Sequence, residues 1–561
     1  MAGDRHGRSR HDEHDPRWDS NPGQRRVLVV ARTTTSTNRL LDALRFFAND
    51  FRVNLAVTIN DTSKFSSGVE RVLHGADVHR IVPWRDVRNR AIEYHLAVSA
   101  SENIDFEWIS TRTVVLPHGL GFNKHVPTDV PGATRLAGLP PVDVLRDGRA
   151  LVVLSHPEQD AQLRAACPEV AGNTAVVGDH TYDRLLASRP LRERYRRLLG
   201  VAGRRLVLVS STWGRQGQLG VWGSLTHQLL AELPADEYQV AAVLHPNIWA
   251  RHTPLQVRIW HEDALAAGLL LLPPTRGWQA ALLAADLVIA DHGSLALYAA
   301  ALGTPLLLAA FGDEVVPGTP VAQLGASADR LDRRLGLRDQ VEHALATHRA
   351  DRFAAITNRV FARVGESTRL LRDLLYRELG LAPPPSPPVL SRVDDPVPDL
   401  REVTAFSVHS EFVDASTLRL WRYPAAVQRL GDPDTHRQPL PANAVRHLAV
   451  DEAEADLTLP QNASVLVRRD VGTAAEAAGW TANALENHPG ARVAAGATAE
   501  GCLARLRDGR LVRVRVTGPP PDPMLLASAV YAALRAGRLH SGGFTVCAGA
   551  VTAPVTLDVR G

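Results

Sequence analysis

The sequence predicts an α/β protein built from two Rossmann-like halves, with a smaller α+β module behind a proline-rich linker. Three observations carry this. Short β-branched apolar runs alternate with amphipathic helical stretches from residue 25 to about 345. The alternation breaks once, at an arginine-rich helix and a glycine turn near 188–203, and then restarts. "APPPSPPV" at 382–389 is a stiff extended spacer, and the pattern changes after it.

Taken in order, residues 1–24 are polar throughout and read as a disordered tail without the apolar core of a signal peptide. The first half spans 25–190. It opens with "RRVLVVARTTTSTNRLLDALRFFANDFRVNLAVTIND", a strand, a helix capped by Ser36 or Thr37, and a second strand. "DVHRIVPW", "HLAVSAS", "TRTVVLPHG", "ALVVLSH" and "NTAVVGDH" supply further short buried strands. The second half spans 204–345, with strands in "RLVLVSSTWG", "YQVAAVLHPN", "GLLLLPP", "DLVIADHGS" and "TPLLLAAF". Over 346–381, Phe353, Ile356, Val360 and Val364 recur at helical spacing, and Ser367 is placed to cap a second helix. Beyond the linker, 390–561 mixes strands such as "ASVLVRRD" and "RLVRVRVTG" with the helix "PDPMLLASAVYAALRAG".

A chain of 561 residues is too long for one core. Net charge is +3 with acids and bases interspersed, which excludes a dedicated nucleic-acid binder. Cys167, Cys502 and Cys547 form no framework and no CxxC pair, so a reducing, cytoplasmic setting is expected. The most apolar stretch, 279–311, is interrupted by Asp286, Asp291, His292 and Pro305. Any membrane contact is therefore expected to be peripheral, at the inner face.

In open parallel sheets ligands bind beyond the carboxyl ends of the strands, and the polar residues here gather at those ends. "LPHGLGFNKH" at 116–125 sets His118 and Lys124 around two glycines. An imidazole changes charge near neutral pH and suits proton abstraction from a hydroxyl. Of the 63 Lys+Arg residues only Lys64 and Lys124 are lysine, so Lys124 offers a compact ammonium where the chain otherwise chooses arginine. "SSTWGRQGQLG" brings Ser211, Thr212 and Arg215 to a glycine-rich strand end, and "LHPN" sets His245 at another. "ADHGS" places Asp291, Gly293 and Ser294 where a strand turns into a helix, whose N-terminus would receive a phosphate. An ordinary helix cap by Asp291 or Ser294 is the plainer alternative. Neither a P-loop nor a GxGxxG fingerprint is present.

His118-Gly119 with Lys124, "VVGDHTYDRLL", "SSTWGR", "VLHPN" and "ADHGS" occur in the order and setting of the CDP-glycerol glycerophosphotransferase family, which the chain resembles over roughly 25–345. That family makes teichoic-acid-type polymers on a GT-B scaffold. The resemblance implies a GT-B arrangement, a general-base role for His118, and donor contacts for Thr212, His245 and Ser294. This chain departs from the pattern with Ser211 for proline, His180 for proline, and His292-Gly293 for an aromatic and a serine. The scaffold is also similar to the non-hydrolysing UDP-N-acetylglucosamine 2-epimerases, whose His-Arg pair is absent at Thr212-Trp213.

The expectation is a transferase moving a glycosyl or polyol-phosphate group from a CDP- or UDP-linked donor to a hydroxyl acceptor, with cell-envelope polymers among the acceptors. No cofactor and no metal is expected. His118, Lys124 and His245 are the candidate catalytic residues. Ser211, Thr212, Arg215, Asp291, Gly293 and Ser294 are the candidate nucleotide or phosphate ligands. A catalytically silent nucleotide-binding protein and a UDP-sugar 2-epimerase are the alternatives.

Overall fold

The computed structural model describes residues 20–561 except 22, 64–65, 91, 128–133, 202 and 429–443. Most of the N-terminal tail and Lys64 therefore lie outside the described residues. The chain forms two compact units. The first runs to Asp183 and takes in Asn358–Ser391; the second combines Arg184–Thr357 with Arg392–Gly561.

The first unit is built on strands β1 (Arg25–Ala31), β2 (Val53–Ile59), β3 (Ile81–Val82), β4 (Leu96–Ser99), β5 (Thr113–Val115), β8 (Ala150–Leu154) and β9 (Thr174–Val176). A hairpin, β6 (His125–Pro127) and β7 (Thr134–Leu136), stands apart from the sheet. The sheet order is β3-β2-β1-β4-β5-β8-β9, all parallel, so the order reverses between β1 and β4. Val27 to Ala31 are all buried, the continuous apolar run that a sheet covered on both faces requires.

The helix Thr34–Leu44 starts earlier than the sequence suggested. Thr33, still extended, accepts from Ser36 N at 3.2 Å, and Ser36 Oγ accepts from Thr33 N at 3.0 Å, a reciprocal capping box. Thr37 instead donates its hydroxyl back to the Thr33 carbonyl at 2.7 Å. The helical spacing read over 353–364 also gives way. Only Ala354–Thr357 is helical there, because Arg363 and Gly365 turn the chain with positive φ of 53° and 81°. The next helix, Ser367–Glu378, packs Leu371, Leu374, Leu375 and Tyr376 into the core around Val27 and Val29. Asp183 holds its start, accepting from Gly365 N at 2.7 Å, from Ser367 N at 3.0 Å and from the Ser367 hydroxyl.

The second unit carries another parallel sheet: β10 (Arg205–Ser211), β11 (Tyr238–Leu244), β12 (Leu270–Leu272), β13 (Leu287–Ala290), β14 (Leu306–Leu308) and β15 (Asp329–Arg330). Its order is β12-β11-β10-β13-β14-β15, reversing between β10 and β13. The C-terminal module is a closed barrel. Its strands are β16 (Ala405–Phe412), β17 (Thr417–Pro424), β18 (Val445–Asp451), β19 (Val465–Gly472), β20 (Val493–Thr498), β21 (Gly501–Leu506), β22 (Leu511–Val516), β23 (Gly542–Ala548) and β24 (Val551–Arg560).

The helix Pro523–Arg535 runs through the barrel, touching β16 to β21 and β23. Every residue from Met524 to Ala533 is at most 7% exposed, so this helix is surrounded on all sides. Closure removes the open edges that a sheet of this size would otherwise present.

Sheet and barrel of the second unit are joined by a buried clamp. Arg422 donates to both carboxylate oxygens of Asp236, at 2.6 and 3.0 Å, and also to Asp522, which caps the central helix. Both carboxylates hold the Arg422 guanidinium above its ordinary range against the effect of burial. The stretch after the linker is not loose either. Tyr195 Oη donates to Val393 O at 3.1 Å, and Asp399 bridges backbone to backbone with Leu271.

Candidate functional site

The carboxyl ends of β11, β10 and β13 are neighbours, and the sequence candidates of the second half stand on them. Ser211 ends β10 and Thr212 follows it; His245 follows β11, its N–H donating to Ser211 O at 2.9 Å; Asp291 to Ser294 follow β13. This is where the strand order reverses, the usual ligand crevice of an open α/β sheet.

Asp291, 1% exposed, organises this edge. Its Oδ2 accepts from Thr212 N at 2.7 Å and from Gln218 N at 2.8 Å, while Oδ1 accepts from Gly293 N at 2.9 Å. One carboxylate thus ties the loop after β10 to the loop after β13. Three of the roughly four acceptor sites of the Asp291 carboxylate are taken by protein N–H groups, which fixes these loops to one another. Gly293 N is likewise engaged by Asp291, which leaves the start of the Ser294–Ala301 helix to present Ser294.

Ser211 is also occupied: its hydroxyl donates to Thr212 O at 2.8 Å and accepts from Leu219 N at 2.9 Å. The glycines that follow serve the loop's own packing. A Cβ on Gly217 would stand 2.6 Å from Thr212 O, and one on Gly220 2.6 Å from Gly214 O. Arg215 stands exposed at the tip of that loop. His245 caps the helix Pro246–Trp260, its Nδ1 accepting from Asn247 N at 3.1 Å. That bond puts the ring proton of the neutral imidazole on Nε2.

His292, where the resembled family has an aromatic, is buried. Its Nδ1 accepts from Gly312 N at 3.0 Å, its Nε2 donates to Glu314 at 2.9 Å, and its ring meets Phe311 edge-on. It braces the loop after β14 against the edge.

In the first unit, β5 leads into "LPHGLGFNK". Leu120 and Phe122 are buried and anchor this loop, and Gln162 donates to Phe122 O at 2.8 Å. Gly138 is required opposite, since a Cβ there would lie 2.6 Å from the Phe122 ring. Between these anchors His118 is exposed, and Lys124 leads into β6 with its carbonyl accepting from Ala137 N.

The sequence reading missed Glu102, at the end of the adjacent β4. It is buried, and its Oε1 accepts from Gly138 N at 3.1 Å and from Asn103 Nδ2 at 2.9 Å. Burial pushes its carboxyl up, but the His118 imidazole, the Gly138 N–H and the Arg135 guanidinium outweigh this and hold it below the usual carboxylate range. Glu102 is thus an ionised group set beside His118. The strand-end rule that selected His118 selects "SASEN" equally well. Arg32, at the end of β1, completes the row. Burial lowers its pKa, and Glu102 and Asp105 work against that lowering.

No family model and no curated protein matches the chain. Among solved structures it is similar to the wall teichoic acid polymerase TagF, at 12% identity and a TM-score of 0.42, over 63% of this chain and 89% of that one. It is similar to a glycosyltransferase from Rickettsia africae ESF-5 at 10% identity and a TM-score of 0.37, over 64% of this chain and 99% of that one. It is also similar to MnaA of S. aureus, solved with UDP, at 9% identity and a TM-score of 0.36, over 66% of this chain and 99% of that one.

Proposed function

We propose that the protein is a GT-B-type transferase that moves a glycosyl or polyol-phosphate group from a CDP- or UDP-linked donor to a hydroxyl acceptor. The observation that carries this is the edge of the second sheet. There Thr212, His245 and Ser294 stand at three neighbouring strand ends; the buried Asp291 ties the Thr212 loop to Gly293, and the His245 N–H bonds to Ser211 O. Backbone and hydroxyl donors on a helix start, with an imidazole and Arg215 beside them, suit the diphosphate of a leaving nucleotide.

In the first unit His118 takes the proton of the acceptor hydroxyl, and the ionised Glu102 next to it stabilises the imidazolium that forms. The acceptor oxygen bonds to the transferred phosphorus or anomeric carbon as the bond to the nucleotide phosphate oxygen breaks. Lys124 supplies a compact charge for a phosphate of either substrate.

The test has two arms. A thermal-shift screen of CDP, UDP and GDP is expected to find one that stabilises the second unit by about 2.7 kcal/mol at 100 times its Kd. With the matching donor, His118→Ala is expected to lower turnover by about 10²- to 10⁴-fold while leaving the nucleotide shift intact. No shift with any nucleotide would defeat the donor assignment, and full turnover by the variant would defeat the role of His118.

A second reading, nucleotide binding without turnover, draws on Ser211 and Asp291 being spent on loop hydrogen bonds. A nucleotide shift with no donor consumed by any acceptor would favour it.

A further inference from the structure

The barrel has no counterpart in the motifs that carry the family resemblance, and within the second unit it walls one side of a large cavity. Strand β17 supplies that wall. In "TLRLWRYP", Leu418 and Leu420 point into the barrel core, so Arg419, Trp421 and Tyr423 stand on the outer face. The other wall comes from the helices Leu225–Glu232 and Pro246–Trp260. The cavity measures about 2560 Å³. Pockets for one small ligand typically hold about 300–1,000 Å³, so this one has room for a chain.

The charge of the lining is nearly balanced. Seven arginines stand with six carboxylates, and most of the carboxylates are already engaged. Glu342 pairs with Arg205 at 2.6 Å, Glu237 with Arg338 at 2.7 Å, and Glu262 with Arg401. Glu232 accepts from Leu337 N at 2.6 Å. Such a surface draws in neither a polyanion nor a polycation. It does set donors and acceptors side by side, which suits a hydroxyl, since that group both donates and accepts.

Rings with a polar group beside them recur on both walls. Trp421 carries the Arg419 guanidinium at 5.9 Å. Tyr423, two residues on and so about 7 Å along the same face, sets its hydroxyl beside the Arg338–Glu237 pair and its ring near His409 at 5.0 Å. On the other wall Trp260 is 40% exposed, with His252 edge-on to it at 4.7 Å. A ring left in water is stabilised by covering it with an apolar face, while the polar groups around it call for hydroxyls in the same ligand. A pyranose carries both, C–H groups on its face and hydroxyls around its edge.

We propose that this cavity binds an uncharged chain of pyranose units and that the barrel is a glycan-holding module. The sugar faces stack on Trp421, Tyr423 and Trp260, and the hydroxyls bond to the guanidinium–carboxylate pairs between the walls. Other chains fit less well. A nucleic acid or another phosphodiester chain meets no clustered positive surface. A peptide strand finds no free edge, because the barrel is closed, edge strand β12 is bridged by Asp399, and β15 adds nothing to the lining. The inference does not rest on the proposed transferase function.

The test uses the full-length protein, with cellohexaose, maltohexaose and N-acetylated chitohexaose as probes and binding followed by calorimetry. Poly(glycerol phosphate), a single-stranded oligonucleotide and an amphipathic helical peptide run alongside. Saturable binding of at least one hexasaccharide is expected, and because the ligand is uncharged, added salt should not weaken it. Trp421→Ala and Trp260→Ala, one on each wall, are each expected to weaken it at least about tenfold, with the melting temperature and the nucleotide shift of the parent. Trp421→Phe keeps a ring and should keep the binding. No hexasaccharide bound by the parent, equal binding by both alanine variants, or tighter binding of any of the other probes would each overturn the proposal. Glycan binding without any nucleotide shift would leave it standing and remove the donor edge instead.

Discussion

Asp291 shows how a residue's chemistry and its task can part. A carboxylate at a strand end, one residue from a helix, looks like a cap or a ligand, and both readings are local. The structure uses it across loops, to hold Thr212 N, Gln218 N and Gly293 N at once. Nothing in the spacing of 212, 218 and 291 announces that, because the three meet only after β10 and β13 have paired. Removing the side chain leaves three N–H groups unpaired, and the two buried ones, of Thr212 and Gln218, each cost about 1–3 kcal/mol. Asp291→Ala is therefore expected to be among the most destabilising single changes at this edge and to abolish the nucleotide shift. Asp291→Asn, which keeps one acceptor oxygen, should lose less. Urea melts of the two variants check this, and equal midpoints for Asp291→Ala and the parent would contradict it. Glu102 makes the complementary point. It was legible by the strand-end rule that found His118, but an acid followed by Asn103 in a loop looks like ordinary surface until its burial is known.

At the scale of elements, the short apolar runs were legible because a strand buried on both faces has no alternative composition. All the strands expected in the two halves are present, and the edge strand β3 contracts to Ile81–Val82. Barrel closure was not legible. Joining β16 to β18 and β17 to β23 depends on pairings distant in sequence, which periodicity does not encode. One signal was available: "MLLASAVYAA" has no polar face apart from Ser528, as a surrounded helix must. Two predictions belong here. The first concerns the loop after β10. Gly220→Ala puts a Cβ 2.6 Å from Gly214 O and 2.7 Å from Arg215 O, so the loop must shift and the nucleotide shift should shrink. An unchanged shift would show that the loop's shape is immaterial to binding.

The second concerns the barrel interior. His447, buried against Tyr531 with both ring nitrogens unpartnered, has its pKa pushed down to about 3 by burial, with His409 adding to the effect. Below the ordinary imidazole value of about 6.5 the unfolded chain takes up a proton that the folded barrel refuses. The stability tied to this residue is full above that value. It falls by about 1.4 kcal/mol per pH unit as pH drops toward 3. His447→Leu is expected to flatten the dependence between pH 6.5 and 4.5, measured as urea midpoints. Parallel curves for parent and variant would count against it.

At the scale of the whole chain, the linker at 382–389 is the boundary the sequence marks most plainly, and it promises a separable module after it. The second unit tells a different story about what separates. Residues 392–404 lie along the sheet of the second unit: Val393 N donates to Ser188 Oγ at 2.9 Å, Asp395 pairs with Arg194 at 2.6 Å, and Asp399 bridges Leu271. Val427 sits in the sheet's own core, and Ala235 packs against the barrel's. The buried Arg422 joins Asp236 before β11 to Asp522 at the head of the central helix. A protease that cuts within 383–388 severs the chain but none of these contacts. The two pieces are therefore expected to elute together in gel filtration and to part only in urea, where the sheet of the second unit unfolds as well. Arg422→Ala leaves the nearly buried Asp236 carboxylate without its cation, a change that typically costs about 3–5 kcal/mol, while Asp522 keeps Arg469 at 3.2 Å. In that variant the cut barrel should come away at lower urea. A barrel fragment that elutes alone from the cut parent protein, still folded, would show that the clamp is dispensable and that the linker is the true divide.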